Sequence, residues 1–345
     1  MNRRDFLQLA GCAASALIFF PRKTRGIPPS FGTSLVYDQI YLKHETGEFH
    51  SESPNRLRAI MRGLEKANLL PSLHSLSPQE SPMQWIETVH HKEYIETVRQ
   101  NVLSGARYLS TRSGNTAICE QSFKVALWAA GGVLTACDAV MSNRTKNAFC
   151  AVRPPGHHAT PSRGMGFCLF NNVAIAARYL QKKHNIEKVL IVDWDVHHGN
   201  GTQDIFYEDG SVFFFSTHQW PWYPWTGSAD ETGRGKGLGT TLNVPLPAGS
   251  GDKELIAAFE RKLRPQVDRF KPDFVLISAG FDSRNTDPLG RFRVTDDGFR
   301  KLSEIMTQIA HDHCKGRLVS VLEGGYSLKG LAQAVPAHIE TLTKA

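Results

Sequence analysis

The chain has 345 residues, of which 41% are hydrophobic and 21% charged, a composition typical of a globular protein with room for one large α/β domain or two ordinary ones. Residues 1–26 carry five basic residues against Asp5 alone, so they hold +4 of the formal net charge of +7. The remaining +3 is an ordinary surface charge, which excludes a strongly basic nucleic-acid-binding protein, and no direct nucleic-acid partner is expected.

Residues 1–26 are predicted to lie outside the folded domain. Arg3 and Arg4 precede an apolar run at 7–20 that is shorter than the roughly 20 residues of a membrane-spanning helix. This pattern is typical of an export signal and resembles a twin-arginine signal, which predicts a periplasmic protein with no transmembrane span. A cytoplasmic protein, or one anchored to a membrane by its N-terminus, is the alternative.

The rest of the chain alternates between two kinds of apolar pattern. Helical periodicity and continuous apolar runs bounded by turn residues follow one another without a linker, so 30–345 is predicted to form one domain. The pattern predicts an α/β fold with a mostly parallel sheet that is covered by helices on both faces. The predicted strands are 147–152, 188–194, 211–216, 273–280 and 317–325, and the predicted helices are 122–141, 171–184, 254–270 and 297–314.

Polar residues follow the carboxyl end of every predicted strand. In chain order the five segments are RPPGHHA, DWDVHHGNG, STHQW, AGFD and EGGY. Because ligands bind outside the carboxyl ends of strands in open α/β sheets, this edge is predicted to carry the functional site.

The segment DWDVHHGNG contains a metal-ligand pattern. If the strand continues through it, Asp193, Asp195 and His197 point to one face, whereas His198 points away and is predicted to be structural. Asp195 and His197, with Asp282 from another strand end, would then form an open zinc site with three protein ligands. Asp193 is placed behind them to orient a histidine. A strand end with solvated acids is the alternative interpretation.

Two further groups have chemistry that suits such a site. His157 and His158 follow a rigid Pro-Pro-Gly turn and are candidates for a general base and a general acid, with the two roles undivided. Tyr326 follows two glycines, and its phenol is a candidate donor to a developing oxyanion. Exposed histidines and a purely structural turn are the alternatives.

Together these motifs resemble the zinc-dependent histone deacetylase and acetylpolyamine amidohydrolase superfamily, with a class II-like branch indicated by Asn200. The segments that carry the resemblance are VRPPGHHA, GFCLFNN, VDWDVHHGNGTQ, SAGFDSRNTDPLG and LEGGY, and it extends from about residue 35 to about residue 330. It implies the arginase/deacetylase-like three-layer αβα fold and hydrolysis of an N-acetylated amine.

The resemblance also implies roles for individual residues. It pairs Asp193 with His157 and Asn200 with His158. The sequence departs from the family pattern at the rim acid that grips the substrate backbone, which has no clear match here and for which Asn115 is the nearest polar candidate. A structural K⁺ is implied near Asp193, Asp195 and His197 with the hydroxyl of Ser216. The remaining assignments are the zinc ligands Asp195, His197 and Asp282, the catalytic residues His157, His158 and Tyr326, and the substrate-tunnel residues Gly166, Phe167, Tyr223 and Leu289.

The predicted function is the release of acetate from acetyl-lysine in a protein or peptide. An acetylpolyamine amidohydrolase acting on a small acetylated amine is the first alternative, although a cationic polyamine should require acids at the tunnel mouth and Leu289 supplies none. A catalytically silent acyl-lysine-binding module is the second alternative, and it should lack a ligand or the tyrosine, whereas all six core residues are present. A two-metal, arginase-like ureohydrolase is the third, and it needs more acids than the segments above contain.

Overall fold

The computed structural model describes residues 31–110 and 116–345, so the predicted export segment 1–26 and Asn115 lie outside the described residues. Within these ranges eight strands form one entirely parallel sheet in the order β2-β1-β3-β8-β7-β4-β5-β6. The strands are β1 (Phe31–Val36), β2 (Leu73–Leu76), β3 (Thr145–Cys150), β4 (Val189–Asp193), β5 (Val212–Gln219), β6 (Thr241–Leu246), β7 (Phe274–Ala279) and β8 (Leu318–Leu322).

Helices cover both faces of the sheet. On one face α1 and α9 pack against α10, and on the other α3 and α5 pack against α4; β7 contacts both α9 and α5. This arrangement is the predicted three-layer αβα fold. The helices are α1 (Asn55–Lys66), α2 (Met83–Ile86), α3 (Lys92–Leu103), α4 (Ser122–Met141), α5 (Asn172–His184), α6 (Asn200–Phe206), α7 (Asp252–Ala258), α8 (Arg264–Phe270), α9 (Asp296–Cys314) and α10 (Leu328–Thr343).

The helix predicted over 254–270 is interrupted. The chain forms α7, then one π-helical turn over Phe259–Leu263, then α8. Pro265 lies in the first turn of α8, where its missing N–H and its ring prevent a regular α-helical bond to the preceding turn. The periodicity over this segment therefore predicted helical structure but not the interruption.

One helix of the described residues, α4, is long and apolar enough to cross a membrane by length and composition. In the fold, 72% of its most apolar window is buried against the sheet and its neighbours. Its apolar character is therefore explained by its position in the core of the protein.

His338 joins three elements inside the core and should make stability depend on pH. Its Nδ1 lies 2.6 Å from Ser303 Oγ on α9, and its Nε2 lies 2.9 Å from Ser320 Oγ on β8. Burial lowers its pKa to about 3. Because the unfolded-state pKa is near 6.5, the unfolded chain binds one more proton between the two values, and stability falls as the pH is lowered through this window.

We therefore expect His338→Gln to reduce the pH dependence of the unfolding free energy by up to about 1.4 kcal/mol per pH unit between about pH 4 and 6. Urea unfolding at a series of pH values measures this slope. His311→Gln is the control, because the His311 side chain is 81% exposed on α9. A slope that is the same in His338→Gln and in the wild type would contradict the prediction.

Candidate active site

The site lies at the carboxyl edge of the sheet, where neighbouring strands bring distant segments together. Strands β3, β8, β7, β4 and β5 are consecutive in the sheet, and their following loops contain the five polar segments found in the sequence. Parallel pairing places all five loops on one edge because every strand ends at the same side.

Strand β4 ends at Asp193, so the expectation that it continues through His197 is wrong. Side-chain carboxylates replace the strand ladder beyond that point: Asp193 Oδ1 accepts a bond from Asp195 N at 3.0 Å, and Asp195 Oδ1 accepts one from His197 N at 2.9 Å. Asp282 Oδ1 accepts a bond from Val196 N at 2.9 Å. The resulting turn directs Asp195 and His197 toward Asp282.

The buried side chains of Asp195, His197 and Asp282 form a compact cluster. Their potential ligand atoms all lie within 4.8 Å of one another. His197 Nδ1 is 3.0 Å from Asp195 Oδ1 and 3.2 Å from Asp282 Oδ2. Two carboxylates and one imidazole form a donor set that suits zinc with a fourth position left open.

Three observations show that this cluster fits a metal ion. Tetrahedral zinc with bonds of about 2.0–2.2 Å separates its ligand atoms by roughly 3.3–3.6 Å, only slightly more than the two His197 distances. Asp282 Oδ2 is buried and accepts no hydrogen bond of regular geometry from the described residues. A Cβ at Gly324 would stand 2.0 Å from that oxygen, so glycine leaves the space in which the carboxylate lies.

The electrostatics of the cluster favour a positive charge at its centre. Burial by itself would lower the pKa of His197, but the neighbouring carboxylates of Asp195 and Asp282 outweigh it and raise that pKa to about 10. Burial and the neighbouring Asp195 raise the pKa of Asp282 to about 7. A cation bound here would compete with the proton on His197, since metal ligands must be deprotonated.

The two tandem histidines lie beside this cluster in different environments. His157 Nδ1 is 2.9 Å from Asp193 Oδ2, and His158 Nδ1 is 2.8 Å from Asn200 Oδ1. Burial opposes protonation of both rings, but the charge of Asp193 raises the pKa of His157 well above its usual range. Burial and the neighbouring His157 lower the pKa of His158.

A cavity of 240 Å³ opens above the cluster, and several predicted tunnel residues form its walls. His158 lines it, whereas His157 does not, and the Tyr223 ring stands edge-on to His158 with 5.2 Å between ring centroids. In the part of the chain that the structure describes, no carboxylate lines this cavity. The lining residues are His158, Gly166, Phe167, His197, Trp222, Tyr223, Leu289 and Tyr326.

Three residues for which no individual role was predicted from the sequence shape the site. Trp222 lines the cavity, and its Nε1 donates a hydrogen bond to Leu289 O at 3.0 Å. Glu323 Oε2 accepts bonds from Gly156 N and His157 N, which fixes the turn before the histidines. Arg56 Nε donates to Gly325 O at 2.6 Å. Glu323 lies inside the quoted motif LEGGY, and that position was the available signal.

His198, predicted to be structural, and Ser216, predicted to lie near a K⁺ ion, both lie behind the site. His198 Nδ1 is 2.8 Å from Thr226 Oγ1 and its Nε2 is 3.1 Å from Gln203 Oε1, away from the cavity lining. Ser216 lies opposite Asp193 in the register of β4 and β5, and its hydroxyl is 3.0 Å from His218 Nδ1. His198 therefore tethers the loop after β5 to α6.

A parallel αβα fold with a buried Asp-His-Asp cluster and tandem histidines at its carboxyl edge defines a metal-dependent amidohydrolase of the arginase/deacetylase type. A family model described as the histone deacetylase domain matches residues 50–342. The chain belongs to the histone deacetylase family, and it is a zinc-type deacetylase that hydrolyses acetylated amides.

Similar proteins agree over most of the chain. A probable deacetylase of Archaeoglobus fulgidus is 42% identical over 300 residues, which cover 86% of this chain and 82% of that protein. Polyamine deacetylase HDAC10 of Homo sapiens is 39% identical over 90% of this chain and 48% of its own length. The crystal structure of the HDA15 HD domain matches with a TM-score of 0.85 and 39% identity, covering 91% of this chain and 88% of that chain.

Proposed function

We propose that the protein removes acetyl groups from lysine side chains of proteins or peptides, with Asp195, His197 and Asp282 holding one zinc ion. The observation that carries this proposal is the convergence of those three side chains beside a cavity that His197 lines together with His158 and Tyr326. When bound, zinc would polarise the acetyl carbonyl and lower the pKa of a water molecule.

The chain's own residues supply the proton transfers. His158 faces the cavity, so it takes the proton of the attacking water and later gives a proton to the departing amine. His157, held by Asp193, stays behind it as a positively charged neighbour that stabilises negative charge. Tyr326 donates its phenolic hydrogen bond to the acetyl oxygen as that oxygen becomes negative.

The cavity walls favour acetyl-lysine in a peptide over a free acetylpolyamine. A polyamine retains further ammonium groups, which require carboxylate partners when they leave water. The described cavity lining has no carboxylate, and Leu289 contributes an apolar wall. The acetylpolyamine reading remains the second candidate because a relative 39% identical to this chain is named a polyamine deacetylase.

Acetate release by the zinc-loaded enzyme decides between these candidates. We expect kcat/KM to be at least about 10-fold higher for an acetyl-lysine peptide than for N-acetylputrescine, because an unpaired cation at an apolar wall is penalised. The control is the same protein treated with a chelator, which should release no acetate. A higher kcat/KM for N-acetylputrescine than for the peptide would support the acetylpolyamine hypothesis. Zinc binding without turnover of either substrate would indicate a silent binding module.

We also propose a structural K⁺ beside the zinc site. Its support is the position of Ser216, a buried hydroxyl opposite Asp193 at the end of β4. Replacing K⁺ by a large organic cation in the assay buffer is expected to lower thermal stability, and an unchanged melting temperature would count against the site.

Export to the periplasm is proposed from the sequence of residues 1–26, which carry the arginine pair and the apolar run described above. Cell fractionation with sequencing of the mature N-terminus tests it. Recovery of the protein in the cytoplasm with Met1 retained would reject the proposal.

A further inference from the structure

Asp287 is a buried carboxylate that has no place in the chemistry described above. It lies five residues after Asp282, in the loop between β7 and α9. Its Oδ1 accepts a hydrogen bond from Leu289 N at 3.0 Å. Its Oδ2 accepts bonds from Tyr326 N at 2.7 Å and Ser327 N at 2.9 Å. One side chain therefore ties the loop after β7 to the loop after β8.

The segment that Asp287 grips needs an anchor. Gly325 adopts a φ of +119°, so the chain turns sharply just before Tyr326 through a conformation that other residues rarely take. Arg56 holds the carbonyl of Gly325 on one side of this turn, and Asp287 holds the amides on the other. The peptide groups flanking Tyr326 are thus fixed by side chains from two distant segments.

We propose that Asp287 is a positioning residue that sets the Tyr326 hydroxyl and the Leu289 wall relative to the cavity. This inference rests on the proposed role of Tyr326 as the donor to the acetyl oxygen. The phenol oxygen lies far from its own backbone, so a small rotation of the peptide displaces it by much more. A misplacement of about 1 Å at a reacting group costs on the order of 10²-fold in rate.

The residue type agrees with this role. Three N–H groups converge on Asp287, and an ionised carboxylate is a side chain that only accepts hydrogen bonds and offers two oxygens. Asparagine has the same shape but presents an NH₂ group, so it would leave either Leu289 N or the Tyr326 and Ser327 amides facing a donor. Asp287→Asn should therefore lose part of the contacts that Asp287→Ala loses entirely.

A double-mutant cycle with Tyr326 tests the proposal. We expect Asp287→Ala to lower kcat for an acetyl-lysine peptide by about 10- to 100-fold in the wild type, but by no more than about 3-fold when Tyr326 is already phenylalanine. Asp287→Asn should give an intermediate loss, and it serves as the test variant if the alanine variant does not fold. Zinc content should stay at the wild-type level in every variant.

A matched control separates positioning from general stability. Asp252 also accepts a backbone N–H from a distant segment, that of Thr295 at 2.8 Å, but neither residue lines the cavity. Asp252→Ala should lower the melting temperature while leaving kcat within about 2-fold.

Several results would overturn the inference. They are an equal fold-loss for Asp287→Ala with and without the Tyr326 hydroxyl, a loss of zinc that parallels the loss of rate, or a comparable fall in kcat for Asp252→Ala. If instead the wild type releases no acetate from any acetylated amine, the proposed function itself fails, which is a different and recognisable outcome.

Discussion

Asp282→Asn is expected to abolish zinc binding, and acetate release is expected to fall by at least about 10³-fold because the nucleophile and the polarised carbonyl both depend on the metal. Asp282 Oδ2 is buried and lies 3.2 Å from His197 Nδ1. An asparagine amide would place either a neutral oxygen or a donor NH₂ at this position, which reduces the negative charge available to a dication. Elemental analysis of the purified protein and an acetate assay measure both effects.

Asp273→Asn is the matched control for this prediction. Asp273 precedes β7, whereas Asp282 follows it, and Asp273 Oδ2 accepts a hydrogen bond from Lys188 N at the opposite edge of the sheet. This variant should keep about one zinc per chain and wild-type turnover. Retention of stoichiometric zinc and full activity by Asp282→Asn would remove Asp282 from the metal site.

Tyr326→Phe is expected to lower kcat by about 10²- to 10³-fold, the usual effect of removing one oxyanion donor, while zinc content stays unchanged. Burial, together with the charge of Asp282, raises the pKa of the Tyr326 phenol well above its usual range, so the hydroxyl keeps its proton and donates. The phenylalanine ring preserves the contacts with the Arg56 guanidinium, 5.1 Å above the ring, and with Phe167. Steady-state kinetics on an acetyl-lysine peptide measure the loss.

A tyrosine remote from the cavity provides the comparison. The Tyr179 hydroxyl donates a hydrogen bond to Asp138 at 2.9 Å, so Tyr179→Phe removes a hydroxyl that is hydrogen-bonded but does not line the cavity. It should lower the melting temperature and leave kcat unchanged. If Tyr326→Phe turns over as fast as Tyr179→Phe, the oxyanion role passes to another group.

The sequence predicted the inner strands of the sheet better than its two edge strands. All five predicted strands form, and they occupy interior positions of the sheet, where burial on both faces produces continuous apolar runs. Strands β2 and β6 lie at the two edges and remain half-buried, so LHSL and TLNVPL carry too weak an apolar signal. β1 was also missed, because FGTSLV contains two buried polar side chains, Thr33 and Ser34.

For the candidate site too, one part was predicted from the sequence and another was not. Asp195, His197 and Asp282 lie close together in the structure, although the strand that was expected to continue through Asp195 and His197 ends at Asp193. The reason is a set of hydrogen bonds that backbone N–H groups donate to carboxylates within and between loops. The bond from Val196 N to Asp282 Oδ1 joins segments 86 residues apart. Periodicity describes a residue's near neighbours and contains no information about such partners.

The sequence by itself determined the α/β class, the edge that carries the chemistry, and the residue types at the candidate metal cluster, because each depends on local apolar patterns and on short motifs. Only the tertiary structure decided which groups hold those residues in place. These groups form hydrogen bonds between distant segments: Trp222 donates to the Leu289 carbonyl, Arg56 donates to the Gly325 carbonyl, and Asp287 accepts from the Tyr326 amide. Such bonds require the sheet to bring its loops together. Because the two partners are distant in sequence, no local sequence pattern predicts these bonds.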